Sequence, residues 1–356
     1  MTYVAPIEEM LFLLENICDA KSLQKYEKYS NLDGNTIRSI LSEVGRLSSK
    51  IVEPVNRSGD LSPPQMVGEK VVCSPGFFEA YKAIADGGWV GMSGTSEFGG
   101  MDLPLVISSC VNEMLGSACL SLSLNPLMTQ GQIEALENHG SVEIKKLYLP
   151  YLNSGRWSGT MNLTEENAGS DVGALKTRAV PIGDGTYEIT GEKIYISWGE
   201  HDLTENICHL VLARLPNSAT GTKGISLFLV PKYIPNEKKT VGEKNTLRAV
   251  SLEDKMGLHG SPTAIMQYNK AKGWLIGKPN TGMKAMFMMM NNARLGVGVQ
   301  GLSQAEHAFQ KALQFAKTRK QGHAIIKNGS GTIIDHADVR RNLLLMKSLT
   351  IVCRYI

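Results

Sequence analysis

No apolar run in the 356-residue chain approaches the roughly 18 residues that a membrane-spanning helix needs. Neither sign of charge dominates: 37 Lys and Arg stand against 34 Asp and Glu, a formal net charge of +3, and no long block of like charges interrupts the mixture. That balance gives no reason to expect a nucleic acid or an anionic membrane as partner. Cysteine is sparse and unpatterned. The six, at 18, 73, 110, 119, 208 and 353, form no C-x-x-C pair. Their spacing argues against a disulfide framework and a zinc site, and implies reduced thiols in a cytoplasmic chain. A basic N-terminal region is also missing, and Glu8 and Glu9 interrupt the place where an apolar signal core would lie.

What is present is near the globular average, with 42% hydrophobic residues, 36 Gly and 14 Pro. Collagen-like, coiled-coil and wholly disordered readings are thereby excluded, and the length implies two to three domains. Apolar residues recur at three and four from Ile7 through Met10, Leu11, Leu14 and Ile17, so residues 1–155 are expected to be a helical N-terminal domain. Loops are expected at Arg57–Asp60, Ser62–Pro64 and Gly94–Gly100.

The period then turns to alternation, and residues 156–278 are expected to form a central antiparallel β sandwich or barrel. Arg178 to Ile182 and Thr186 to Thr190 read as a hairpin about Gly183-Asp184-Gly185, and further strands are expected at His209–Leu215, Ile225–Val230 and Thr263–Tyr268. Helix resumes from Thr281 to about Gln321, and Asp335 is expected to cap another helix with an apolar face of Val339, Leu343, Met346 and Leu349. Residues 279–356 thus read as the start of a C-terminal helical bundle, truncated at Ile356. The class is α+β multidomain.

Several constellations invite chemistry. Gly296-Val-Gly298-Val-Gln-Gly301 satisfies the dinucleotide pattern G-x-G-x-x-G, but a Met-rich helical stretch leads in where a strand is required. Small residues on a helix more simply mark a close approach by another helix or a ligand. The Met cluster at 286, 288, 289 and 290 reads first as packing, with the border of an acyl pocket as the alternative. No Cys or carboxylate cluster stands at ligand spacing around His201, His209 and His259, so no metal site is expected. Leu163-Thr-Glu-Glu-Asn-Ala-Gly-Ser-Asp-Val-Gly173 is either a polar loop or a set of hydroxyl and backbone donors for a phosphate or a heteroaromatic edge.

That last segment resembles the T-E-P-x-A-G-S-D signature of acyl-CoA dehydrogenases, and other blocks follow in the family's order. They are Gly88-Trp-Val-Gly with Glu97-Phe-Gly-Gly, Tyr148-Leu-Pro-Tyr-Leu-Asn-Ser-Gly, Gly191-Glu-Lys-Ile-Tyr-Ile-Ser-Trp-Gly, Lys223-Gly-Ile-Ser-Leu-Phe-Leu-Val, Glu253-Asp-Lys-Met-Gly-Leu-His-Gly-Ser and Arg319-Lys-Gln-Gly. Tyr3-Val-Ala-Pro-Ile and Gly199-Glu-His-Asp-Leu-Thr-Glu-Asn resemble the longer branch that includes 3-methylmercaptopropionyl-CoA dehydrogenases.

The resemblance implies an FAD-dependent enzyme that introduces an α,β double bond into an acyl-CoA, passes electrons to an acceptor such as an electron-transfer flavoprotein, and works as a homo-oligomer. It places Met161, Leu163 and Thr164 along the flavin, Ser170 at the cofactor or the CoA side, and Ile196 and Ser197 near the reactive ring. Arg319 and Gln321 would reach the FAD of a neighbouring subunit, with a solvated helix-end charge as the plainer reading of Arg319. Asn291 and Arg294 are candidates for the CoA adenosine part, or are helix-surface packing. Glu166 replaces the family proline, a change expected to loosen the turn, and Tyr195 keeps an aromatic wall. No catalytic base is assigned: Ala293 stands where some relatives have a glutamate, and the base is expected beyond Ile356. The alternative is a non-catalytic truncated or split-gene remnant that at most binds FAD or a partner chain.

Overall fold

The apolar spacing after Pro6 folds as helix α1 (Ile7–Asn16), with Met10, Leu11, Leu13 and Leu14 buried. Helix α2 (Gly34–Leu47) starts at Asp33, whose carboxylate accepts the Thr36 N–H at 2.7 Å. It runs through a wide turn at Ser48–Val52 into α3 (Glu53–Leu61). The computed structural model describes residues 2–323 and 329–356. Arg57–Asp60 therefore lies inside a helix and is not a loop; Gly59 serves close packing there, since a Cβ on it would run into the Phe77 ring. The N-terminal region is also not purely helical. Strands β1 (Gln65–Val67) and β2 (Lys70–Val72) form a hairpin about Gly68, whose φ of 65° only glycine adopts readily. Helices α4 (Phe77–Asp86), α5 (Leu105–Ala118), α6 (Leu120–His139) and α7 (Val142–Asn153) follow.

The β region comprises β3 (Trp157–Asn162), β4 (Arg178–Pro181), β5 (Tyr187–Ser197), β6 (Asn206–Arg214), β7 (Ile225–Pro231), β8 (Tyr233–Pro235), β9 (Val241–Lys244), β10 (Leu247–Leu252) and β11 (Thr263–Ile276). Pairing runs β5–β4–β6–β7–β11 and back to β5, which closes a barrel; β3 extends it from β6 and β10 from β11. Contrary to the all-antiparallel expectation, β3 pairs with β6 in parallel, and β4 meets β6 in parallel at the single pair Arg178↔Arg214. Parallel pairing needs a long crossover, and residues 163–205 supply it.

The barrel interior holds Ile189, Val211, Phe228, Val230, Met266 and Tyr268. The other face of β3, β6 and β7 buries Trp157, Leu210, Leu212 and Leu229 with Ile133 and Leu136 of α6 and Leu149 and Leu152 of α7.

Helix α8 (Gly282–Thr318) is 37 residues long, about 55 Å at 1.5 Å per residue. Met286 and Met289 near its start join the cluster around Trp157, so packing accounts for both. Helix α9 (Ala337–Tyr355) is not capped by Asp335. That residue lies in a preceding 3-10 turn, its carboxylate accepting from Ser330 Oγ and the Gly331 N–H, and His336 occupies the cap position. Of the expected apolar face, Leu343 is buried and Val339 and Met346 pack beside it against Phe309 and Ala316, whereas Leu349 is 55% exposed.

By packing the chain separates into two units that interleave in sequence, whereas the three expected divisions are consecutive. One consists of Met1–Pro54, Ser109–Leu120 and Gly296–Ile356, the other of Val55–Ser108 and Ser121–Leu295. The first is all helical among the described residues; the second carries the barrel with α4, α6 and α7. No helix among the described residues is long and apolar enough to cross a membrane.

Candidate functional site

Both faces of β3 are buried, and alternation sends its residues to two environments. Trp157 joins the apolar cluster outside the barrel, while Ser158, Thr160 and Asn162 point into a polar network inside it. There Tyr268 donates its hydroxyl to Asn162 Oδ1 at 2.9 Å, Asn162 Nδ2 donates to Thr160 Oγ1 at 2.8 Å, and Thr160 Oγ1 lies 2.7 Å from His209 Nδ1. His201 accepts the Leu203 N–H at Nδ1, so Nε2 carries the proton and donates to Ser158 Oγ at 2.9 Å. A histidine in that tautomer cannot deprotonate Ser158, and the pair is structural rather than a nucleophilic dyad. Burial pushes His201 and His209 down to about 3, with the Lys232 charge adding to it, so both are neutral.

Immediately after β3 the chain makes the loop singled out by its hydroxyls. The Thr164 carbonyl accepts the Ile194 N–H at 2.9 Å, tying the loop to β5. Glu165 and Ala168 exchange both backbone bonds, at 3.0 and 3.1 Å, so the turn closes although Glu166 replaces the family proline. The expected loosening is not observed.

Four donors converge on the Glu165 carboxylate. They are the backbone N–H groups of Lys176 and Thr177 at 2.6 and 3.0 Å, Thr177 Oγ1 at 2.6 Å, and Lys193 Nζ at 2.9 Å. Burial raises this carboxyl, but the Lys193 charge and the Thr177 and Lys176 donors outweigh it and hold Glu165 below its ordinary range. Lys193 is fully buried and also donates to the Leu163 carbonyl at 2.9 Å. Burial lowers it to about 8, against the pull of Glu165.

Asn167 in the turn and Gly169, Ser170 and Asp171 beyond it are exposed. At the end of β5, Tyr195 is 61% exposed with φ 59°, Ser197 is half-buried, and Trp198 is buried with φ 56°. The Trp198 indole N–H finds no acceptor among the described residues.

The blocks around this loop match known proteins. Residues 73–156 fit the acyl-CoA dehydrogenase N-terminal domain and residues 160–271 the middle domain of the same enzymes. The chain is 44% identical over 352 residues to 3-methylmercaptopropionyl-CoA dehydrogenase of Ruegeria pomeroyi, covering 98% of this chain and 60% of that protein. It is 30% identical over 295 residues to an acyl-CoA dehydrogenase of Bacillus subtilis, covering 79% of this chain and 70% of the relative. The chain belongs to the acyl-CoA dehydrogenase family.

The fold agrees. The structure of butyryl-CoA dehydrogenase from Megasphaera elsdenii superposes with a TM-score of 0.73 at 22% identity, over 89% of this chain and 76% of that one. The chain spans 60% of the length of the Ruegeria pomeroyi relative.

Within this member of the family, Met161, Leu163, Thr164, Ser170, Ile196 and Ser197 all fall in the barrel-bearing unit. Thr164 and Ser197 are half-buried and Ser170 is exposed, whereas the Met161 and Leu163 side chains pack into the Trp157 cluster and that of Ile196 fills the barrel core. Ile196 can therefore meet a ligand only through its backbone. Asn291 and Arg294 lie one turn apart on α8 and bond to each other, Nη1 to Oδ1 at 2.8 Å, with the guanidinium 5.3 Å from the centre of the Phe287 ring.

Arg319 and Gln321 follow α8 in the other unit. Both side chains are exposed, and the Gln321 carbonyl accepts from His336 Nε2 at 2.9 Å. The Gly296–Gly301 run is helix, not a strand-to-helix turn, which rules out the dinucleotide reading. Nothing lies within 4 Å of where a Cβ would stand on Gly298 or Gly301; a close approach to this stretch of α8 is instead made by Gly116 at Ser303.

His259 binds Asp60 and the Lys255 carbonyl, and no group of three or more metal-ligating side chains occurs among the described residues. Sequence reasoning missed Lys193 and Glu165. The signal was the period of two from the inward Ile189, which lands Lys193 indoors, where a charge requires a partner.

Proposed function

We propose that the chain acts as an FAD-dependent acyl-CoA dehydrogenase that introduces an α,β double bond into an acyl-CoA thioester of the 3-methylmercaptopropionyl or a short- to medium-chain kind. The observation that carries this reading is the donor-rich loop at 164–170, tied to the end of β5 where Tyr195 and Ser197 are accessible. Hydroxyls on Thr164, Ser170 and Ser197, an exposed aromatic ring and an open backbone suit a flavin. An added Cβ on Gly169 would meet only the Thr164 methyl, at 3.9 Å.

FAD supplies the acceptor for the hydride that leaves the β carbon. The chain's own part is to bind and orient: Thr164 and Ser197 fix the ring through hydroxyl bonds, Tyr195 covers it, and Ser170 faces the CoA side. Asn291 and Arg294 contact the CoA adenosine part. Arg319 and Gln321 reach the FAD of a neighbouring copy in a homo-oligomer, and an electron-transfer flavoprotein is the class of acceptor. No base is assigned among the described residues, since Ala293 cannot take a proton.

A second reading, a chain that binds FAD without completing the chemistry, draws on that alanine. The test is the visible spectrum of the purified chain with FAD, followed by anaerobic addition of butyryl-CoA or 3-methylmercaptopropionyl-CoA. Bleaching of a bound flavin supports the dehydrogenase, bound flavin without bleaching supports the second reading, and absence of flavin uptake overturns both.

A further inference from the structure

Lys193 holds both neighbours of Thr164. Its ammonium donates to the carbonyl of Leu163 on one side and to the carboxylate of Glu165 on the other, each at 2.9 Å. Thr164 itself is fixed by its carbonyl on the Ile194 N–H. The middle residue is thus clamped at three consecutive positions, and its hydroxyl is left with only its own χ1 to choose. Glu165 extends the clamp, because Thr177 Oγ1 and the N–H groups of Lys176 and Thr177 bind the same carboxylate and draw in the far end of the loop.

An ammonium with no exposed surface is expensive to keep. A buried ion pair is weak evidence for stability, and in some proteins such a pair serves to fix one geometry. Ile189, on the same face of β5, is apolar, so Lys193 is the position on that face that brings a charge indoors.

We infer that Lys193, acting through Glu165, is a positioning residue that sets the Thr164 hydroxyl for the flavin edge, with Thr177 as the strut that holds Glu165. This rests on the flavin reading above. It adds that the precision of the cofactor contact comes from three side chains that do not themselves touch the cofactor.

The test uses the full chain and four variants: Lys193→Met, Glu165→Gln, Thr177→Val, and Thr177→Ser, which keeps the hydroxyl. Hydrogen exchange is measured first, without added FAD. The amides of Glu165, Ala168 and Ile194 are expected to exchange faster in the first three variants, while those of β6 and β7 stay at the wild-type rate. FAD is then titrated by its visible band. Lys193→Met, Glu165→Gln and Thr177→Val are expected to bind about tenfold more weakly and to shift the flavin absorption maximum, and Thr177→Ser to restore both. Should Lys193→Met fail to fold, Glu165→Gln and the Thr177 pair carry the same comparison. A wild-type chain that takes up no FAD overturns the flavin reading and this one together. A wild type that binds FAD, with variants matching it in exchange, affinity and spectrum, overturns this one alone.

Discussion

The guanidinium of Arg354 meets the carboxylate of Glu113 through Nε and Nη2 at 2.7–3.0 Å, with the two side chains 4% and 2% exposed. The same group also binds Glu306 at 2.8 Å and Glu9 at 3.0 Å, so α9 presents one cation to carboxylates from α1, α5 and α8. Burial, opposed by Arg354, raises the Glu113 carboxyl. Replacing Arg354 with Met leaves Glu113 and Glu306 buried without a counter-charge. The expected loss is about 3–5 kcal/mol, read as a lower denaturation midpoint. Arg354→Lys is expected to recover little of it, because an ammonium cannot serve three carboxylates with a planar fork of donors. An unchanged midpoint in Arg354→Met would refute the ionic account of this junction.

Gly298→Ala and Gly301→Ala are expected to stabilise the chain by about 0.8–1 kcal/mol each, since both sit inside α8 with open space where the methyl would go. Thermal unfolding of the single variants measures this. A dinucleotide-binding turn would respond in the opposite way.

Gly282 is the contrasting case at the start of the same helix. A Cβ there would collide with the backbone at Ser226 and Leu227, and the backbone of a closed barrel cannot give way. Gly282→Ala is expected to cost about 1–3 kcal/mol by urea denaturation.

His201 and His209 make the fold acid-labile. Each is held neutral with a folded pKa of about 3, below the unfolded value of 6.5, so the unfolded chain binds more protons in between and stability falls as pH drops through that window. Each contributes a slope of about 1.4 kcal/mol per pH unit once the pH is well below 6.5. Urea midpoints between pH 6 and pH 4 check this. His209→Phe, whose ring fills the same space, should flatten the slope by about that amount, and an unaltered slope would rule the histidine out.

Elements whose patterning is local were readable from sequence. The Gly183-Asp184-Gly185 turn is a hairpin with positive φ at both glycines, and the change of period after Gly155 falls two residues before β3 begins. Trp157–Asn162 gave no strand signal because both of its faces are covered, one by apolar side chains and one by polar partners, and alternation disappears when neither side is solvent. The hairpin at Gln65–Val72 has only three residues per strand, too few for a period.

Asp335 looked like a cap because its type is right, yet its oxygens are taken by Ser330 and Gly331. The loop at 163–173 was legible as a collection of donors. What holds it was not, since Glu165 and Lys193 are 28 residues apart and come together only when the crossover packs back onto β5.

The parallel ladder of β3 on β6 sets an order in time as well as in space. Thr160 waits for a partner 49 residues downstream, and antiparallel neighbours joined by short turns, such as β4 and β5, need no such wait. On the ribosome, the strand that leads into Thr164 emerges before the strand it pairs with. The donor loop's own partners, Lys176, Thr177, Lys193 and Ile194, also lie downstream of it, so the loop takes its shape only once β5 has been delivered.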